Sequence, residues 1–309
     1  MVIWDAFRNG LIKVWENKIL ALILFIFKLF FAFSLLIPAY YMFNRTFYFS
    51  PSADNFLKGY DFSLLVDFFA YWSKSIGLYR VLFLFTILIL AIGYIFLSGG
   101  LWGGLCQNLR EGKQRFRGEK FFGDCGRFLW SFFRIFIFIC ILYVLVFILG
   151  MLIYSLIGSI AGKELSVTGH ILILIIGLII FAILFMWVDM LGDYMRIYRI
   201  TFEEKKLRKI LKPSLRFIFT NFDKTVLLYY LLSIILLGTL AIYFGLNKTL
   251  HLQPANGLMV LSVFIWQQAY SLFRSFYRLV YYSSQLILFD RISIMDSIEK
   301  EGNLGEIGV

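Results

Sequence analysis

Long apolar runs alternate with short polar ones along the whole chain. Six of the runs, about 19–43, 79–105, 132–159, 170–191, 225–246 and 257–277, hold only scattered charged residues. Each is long enough, at ~1.5 Å per residue, to cross a ~30 Å hydrocarbon core as a helix. Lipid offers no partners to open backbone groups, so the helix is the form these runs must take. The short alternating segments of a β-barrel are absent. The pattern predicts an all-α polytopic membrane protein with six transmembrane helices.

The polar connections differ in charge. Residues 107–127 carry six Lys/Arg against three acids, and the elbow from Gly192 to Lys224 carries nine against four. The other connections have no such excess. Lysine and arginine near span ends are retained on the cytoplasmic side, which places both basic connections and both ends of the chain there.

Each pair of spans has a lead-in. Within residues 1–18, Phe7, Leu11, Val14 and Trp15 share one helical face, with Arg8, Lys13 and Glu16 mainly on others. This suits an amphipathic interfacial helix rather than a cleavable signal. A second surface helix is expected over Asp61–Ser73, from Leu64, Leu65, Phe68, Phe69 and Trp72. Gly10, Gly126 and Ser214 open comparable lead-ins containing Trp15, Trp130 and Phe219, with Asn17 and Asn221 seven residues into the first and third and Phe133 in the second.

The second span of each pair also has a signature. Phe96, Phe185 and Phe264 are followed after seven residues by Gly103, Gly192 and Ser271, and after seven more by Arg110, Arg199 and Arg278. Steps of seven stay near one helical face, drifting ~20° per heptad. The chain therefore reads as three tandem hairpins, units of about 1–110, 122–199 and 210–278. They form a single domain over 1–289, parallel repeats about an axis along the membrane normal. Residues 290–309 are expected to form a short, polar, mobile cytoplasmic tail.

Composition sharpens this picture. The chain is 61% apolar and 20% aromatic, with a mean hydropathy of +0.81, against roughly 45–50% apolar for soluble domains. A net charge of +11 would suit nucleic acid, but these cations flank membrane spans, so anionic headgroups at the cytoplasmic face are the expected partners. Cys106, Cys125 and Cys140 lack paired spacing, so neither a disulfide framework nor a metal site is expected. No strand precedes the SGGLWGG stretch containing Gly99, Gly100, Gly103 and Gly104, which points to close helix contact rather than a nucleotide loop. His170 and His251, at outer span ends, cannot supply stacked haem ligands. No metalloprotease, P-loop or nucleophile-elbow motif occurs. No enzyme activity and no cofactor are expected. Asn44 and Asn247 head glycosylation sequons that matter only in a eukaryotic source.

Two sets of residues carry candidate chemistry. Asp189, Asp193 and Arg196 lie within two turns at the inner end of the fourth span, and Gln267, Gln268 and Arg274 lie on the sixth. Ionisable groups inside a span are costly unless paired. This set reads either as a cation or proton site or as an ion cluster that anchors the elbow. Arg110, Arg199 and Arg278 suit contacts with anionic-lipid phosphate, with simple snorkelling as the alternative.

The lead-in and hairpin LKPSLRFIFTNFDKTVLLYYLLSIILLG resembles those of uncharacterised bacterial six-span proteins, the YciC-like family and the membrane domain attached to some glycerophosphodiester phosphodiesterases. The resemblance covers most of the chain in texture and spacing. It implies a helical module of the bacterial inner membrane with no established activity. The hydrolase domain of some relatives is absent from this sequence, so its chemistry does not carry over. An accessory or scaffold subunit, or a lipid-interacting module, with membrane lipids and a protein partner or complex, is the expected role. A permease or lipid transporter with a cavity between the hairpins is the alternative.

Overall fold

The computed structural model describes residues 2–47, 76–112, 116–161, 167–249 and 257–306, and the isolated positions 66 and 70. The surface helix expected over Asp61–Ser73, most of the turn at 161–169, and His251 lie outside the described residues. Among the described residues there are eight helices and no strand: α1 (Val2–Glu16), α2 (Lys18–Phe47), α3 (Ile76–Glu111), α4 (Gly118–Ala161), α5 (Val167–Phe202), α6 (Leu207–Thr220), α7 (Phe222–Thr249) and α8 (Gly257–Glu306).

Five of them contain a stretch long and apolar enough to cross a membrane: Lys18–Pro38, Val81–Arg110, Gly118–Ile153, Ile171–Phe202 and Phe222–Lys248. The sixth expected run, 257–277, opens α8 but is interrupted by Gln267, Gln268 and Arg274. Beyond it α8 does not stop. Residues 279–289 are buried without interruption, and the stretch expected as a tail continues helical as far as Glu306.

The two asparagines of the lead-in pattern mark helix breaks. Asn17 separates α1 from α2, and its side-chain Nδ2 donates to the Lys13 carbonyl at 2.8 Å. Asn221 separates α6 from α7 and donates in the same way to Phe217, at 3.4 Å. An amide side chain competes for backbone carbonyls in this way and so favours helix ends. Phe133 offers no such competition at the matching position, and α4 runs unbroken through it from Gly118 to Ala161.

Contacts between elements form a ring. The three helices α3, α5 and α8, which carry the runs expected as second spans, touch one another pairwise. α2 packs against α8 and α3, and α4 packs against α3 and α5. The lead-ins follow suit: the start of α4 lies on α3, α6 lies on α5, and α1 closes the circuit by lying on α8. Two close approaches set this packing. A Cβ on Gly99 would stand 3.1 Å from the Cα of Cys125, and one on Gly103 would stand 2.6 Å from an Asp124 carboxylate oxygen. The glycine-rich stretch thus lets α3 and α4 meet at near-backbone distance. Gly10 does the same for α1, where a Cβ would press on the Ser284 hydroxyl and lie 2.9 Å from the Ser284 backbone nitrogen. An Asp5–Arg291 ion pair at 3.6 Å and a Lys13–Asn108–Asn17 bonding group, with Asn108 Nδ2 to Asn17 Oδ1 at 2.7 Å, flank that seam.

Packing is concentrated in one half of the molecule. The buried core draws on 95–106 of α3, 188–200 of α5 and 275–292 of α8. In the other half the helices are exposed on nearly every face, as along Val81–Ile89, Val144–Leu156 and Ile171–Ile180. Within the most apolar stretches of the five spans only 6–22% of residues are buried inside the protein. Among the described residues, ring contacts there join chain-adjacent helices, Phe147 of α4 to Phe181 of α5 and Tyr243 of α7 to Tyr270 of α8.

Candidate functional site

A layer of polar and charged groups separates the packed half from the open one. Lys28, Tyr94, Asp189 and Arg274 lie 17–22 residues from the open-side ends of their helices. At ~1.5 Å per residue that is roughly 26–33 Å, close to the thickness of a hydrocarbon core. The layer therefore lies about one hydrocarbon thickness from the open-side helix ends, toward the end of the molecule that carries the basic connections.

α3, α5 and α8 supply most of it. On α5, Asp193 is fully buried and accepts a 2.7 Å hydrogen bond from Arg196, whose side chain is 15% exposed. A buried carboxylate needs such a counter-charge, because removing one partner leaves the other uncompensated. One turn away, Asp189 accepts from two phenols, Tyr143 of α4 at 2.9 Å and Tyr229 of α7 at 3.3 Å. Tyr143 stacks on Phe185 at 4.8 Å. Asp189 is thus held by neutral donors and Asp193 by a cation, and among the described residues the two carboxylates share no hydrogen-bond partner.

On α8, the Nε of Arg278 donates to the Tyr282 hydroxyl at 2.9 Å, and that hydroxyl lies 2.8 Å from the Tyr94 hydroxyl of α3. Trp102 stacks on the Tyr282 ring at 4.4 Å. Burial pushes the Tyr282 phenol well above its usual range, so it stays protonated. Tyr281 bonds to Ser233 at 3.0 Å and donates to the Tyr229 carbonyl at 3.2 Å, and Tyr277 donates to the Leu232 carbonyl at 2.6 Å. These tyrosines fasten α8 to α7. Between α3, α4, α5 and α8 lies a cavity of about 160 Å³ whose polar lining is Tyr94, Ser98, Tyr143, Asp189, Arg196 and Arg278.

The six residues of the intramembrane set divide. Asp189, Asp193 and Arg196 join the central layer. Gln267 and Arg274 are exposed and Gln268 is half-buried. Gln267, Ser271, Arg274 and Arg278 follow at steps of four, three and four, which puts them on one face of α8. That face carries Arg278 into the central layer, so Arg274 looks over the same space one turn toward the open half.

The three arginines aligned by the heptad register take different partners. Arg110 is exposed and donates to the Thr201 carbonyl at 3.2 Å. Arg199 is buried, with its guanidinium 5.1 Å from the Phe128 ring centroid. Among the described residues only Arg278 of the three enters the central cluster. Equal spacing fixes the face of each helix on which its arginine lies but not the neighbour that face meets, so equivalent positions take different partners once the helices pack.

Lys28 belongs to the layer and was not among the sequence candidates. Its Nζ donates to the Ser275 hydroxyl at 3.2 Å, linking α2 to α8, and its electrostatic neighbours are Tyr94, Arg274 and Arg278. A charge within the apolar run LILFIFKLFFAFS was the available signal. The tyrosines gave none, because a phenol is equally at home in a core or at a membrane boundary. No protein-family model, curated protein or solved structure matches the chain.

Proposed function

We propose that this chain is a non-catalytic six-span module of a membrane, arranged as three lead-in-plus-hairpin units, that holds lipid between its hairpins. The observation that carries this reading is the uneven packing. The second spans touch pairwise and pack closely at the polar layer, then run for ~26–33 Å with apolar side chains exposed on nearly all faces. In a bilayer that space cannot be left to water or vacuum, because apolar surface and dry helices are stable there only against hydrocarbon or protein. Acyl chains fit it without any specific partner surface. Five apolar spans support a multi-pass protein. The basic connections support placing the packed half, both chain ends and the bend from α5 to α6 at the cytoplasmic face, and the family resemblance points to a bacterial inner membrane.

The cyclic contact order and the matched breaks at Asn17 and Asn221 support the triplication. A scaffold role is the second reading, favoured by the exposed apolar groove of about 230 Å³ between α4 and α5, lined by Gly150, Ile176, Gly177 and Leu184 among others. Purification in a mild detergent followed by phosphorus assay and lipid extraction tests the proposal. Phospholipid retained at one or more molecules per chain after extensive washing is expected. Protein free of phospholipid, with its fold intact, refutes it.

A further inference from the structure

We infer that Lys28, Arg274 and Arg278 form a binding site for the phosphate of an anionic phospholipid whose chains occupy the space between the hairpins. This rests on the lipid-holding reading above and adds the headgroup chemistry. Among the described residues the central layer contains four cations, Lys28, Arg196, Arg274 and Arg278, and two carboxylates, Asp189 and Asp193. Two positive charges are therefore left without a counter-ion at the edge of a low-dielectric slab.

The geometry says which cations are free. Arg196 is committed to Asp193 at 2.7 Å. Arg278 has Tyr282 on its Nε at 2.9 Å, and it lies close enough to feel both carboxylates. Among the described residues Lys28 hydrogen-bonds only the neutral Ser275 hydroxyl, at 3.2 Å. Among the described residues no carboxylate lies within 4.0 Å of Lys28, Arg274 or Arg278. Lys28 instead feels both arginines as like charges. Clustering them is unfavourable unless an anion joins them, and guanidinium with ammonium is the donor set that phosphate oxygens accept best.

Position names the anion's source. On the lipid-holding reading, the three cations stand at the depth of the phosphates of the basic-side leaflet. Arg274 is exposed. Exposed apolar residues such as Leu261 and Ile265 continue α8 in that direction. A phosphate seated on Arg274 and Lys28 would send its acyl chains along this surface, with Gln267 on the same helical face. A free phosphate ion would use the same cations but leave the apolar surface uncovered.

The test uses the full chain, delipidated and reconstituted in vesicles of phosphatidylcholine with phosphatidylglycerol at equal fractions. Re-extracted protein is then weighed by native mass spectrometry. The wild-type chain is expected to retain phosphatidylglycerol about tenfold over phosphatidylcholine. Lys28→Gln and Arg274→Gln are each expected to cut that preference several-fold while melting no lower than wild type, since each removes a like-charge neighbour. A merely structural role would lower the melting temperature and leave the preference alone, which overturns the inference. Wild-type chain that retains both lipids equally also overturns it and leaves the lipid-holding reading standing. Wild-type chain that retains neither lipid refutes both. Displacement of the lipid by millimolar inorganic phosphate would show an ion site without chains and refute the lipid assignment.

Discussion

Gly10 is the position where one added carbon should cost most. A Cβ there would overlap the Ser284 hydroxyl and stand 2.9 Å from its backbone nitrogen and 3.0 Å from its Cα. The hydroxyl can rotate, but the backbone of α8 cannot, because residues 279–289 are buried on all sides. α1 would have to lift by several tenths of an ångström, loosening Ala6 and Val14, which are fully buried, and lengthening the Asp5–Arg291 pair. Overpacking of this kind costs about 1–3 kcal/mol, against a helix-propensity gain of about 1 kcal/mol for replacing glycine by alanine. Gly10→Ala should therefore be destabilised by up to about 2 kcal/mol, a fall of several degrees in melting temperature at roughly 2–4 °C per kcal/mol. Gly10→Leu should fall further. Gly126 is the internal control, since it holds the matching place in the second lead-in and a Cβ there meets nothing within 4 Å. Gly126→Ala should match or exceed wild type. Melting followed by size-exclusion chromatography in detergent measures all three. If Gly10→Ala and Gly126→Ala shift equally, α1 is not seated on α8 and the ring is open.

Three further outcomes follow from the same contacts. Asp193→Asn should destabilise by about 3–5 kcal/mol, as removal of one member of a buried ion pair does, and adding Arg196→Met should recover part of the loss in the same melting assay. Tyr282→Phe keeps the stack on Trp102 but removes the hydroxyl shared by Arg278 and Tyr94, so a loss of about 1–3 kcal/mol is expected, whereas Tyr282→Leu should lose more. Asn221→Leu removes the side-chain bond to Phe217 and should cost about 1 kcal/mol, and circular dichroism should show helix content unchanged or higher.

What could be read from the chain was whatever repeats locally. Apolar run length located the five membrane-length helices, and the glycine cluster indicated a close helix contact without naming its partner, whereas the asparagines at 17 and 221 stood out in the lead-in pattern without being read as breaks. Contacts between distant elements left no such trace. The docking of α1 on residues 279–292 escaped notice because those residues read as a span end followed by a polar tail. The phenol bonds from Tyr143 and Tyr229 to Asp189 join residues 46 and 40 positions apart, and no local pattern encodes such a pairing. Lys28 was averaged away inside an apolar run. The arginines share one spacing in sequence, yet that spacing did not set which partner each side chain met, because the neighbours of a helix face are fixed by packing and not by spacing alone.

The most direct test of the central claim is a cryo-electron-microscopy map of the full chain in nanodiscs containing phosphatidylglycerol. The account predicts elongated acyl-chain density between α3, α5 and α8 on the open side of Arg274, joined to headgroup density against Lys28 and Arg278. Second spans that close on one another along their whole length, side chain against side chain with no lipid density between them, would contradict it.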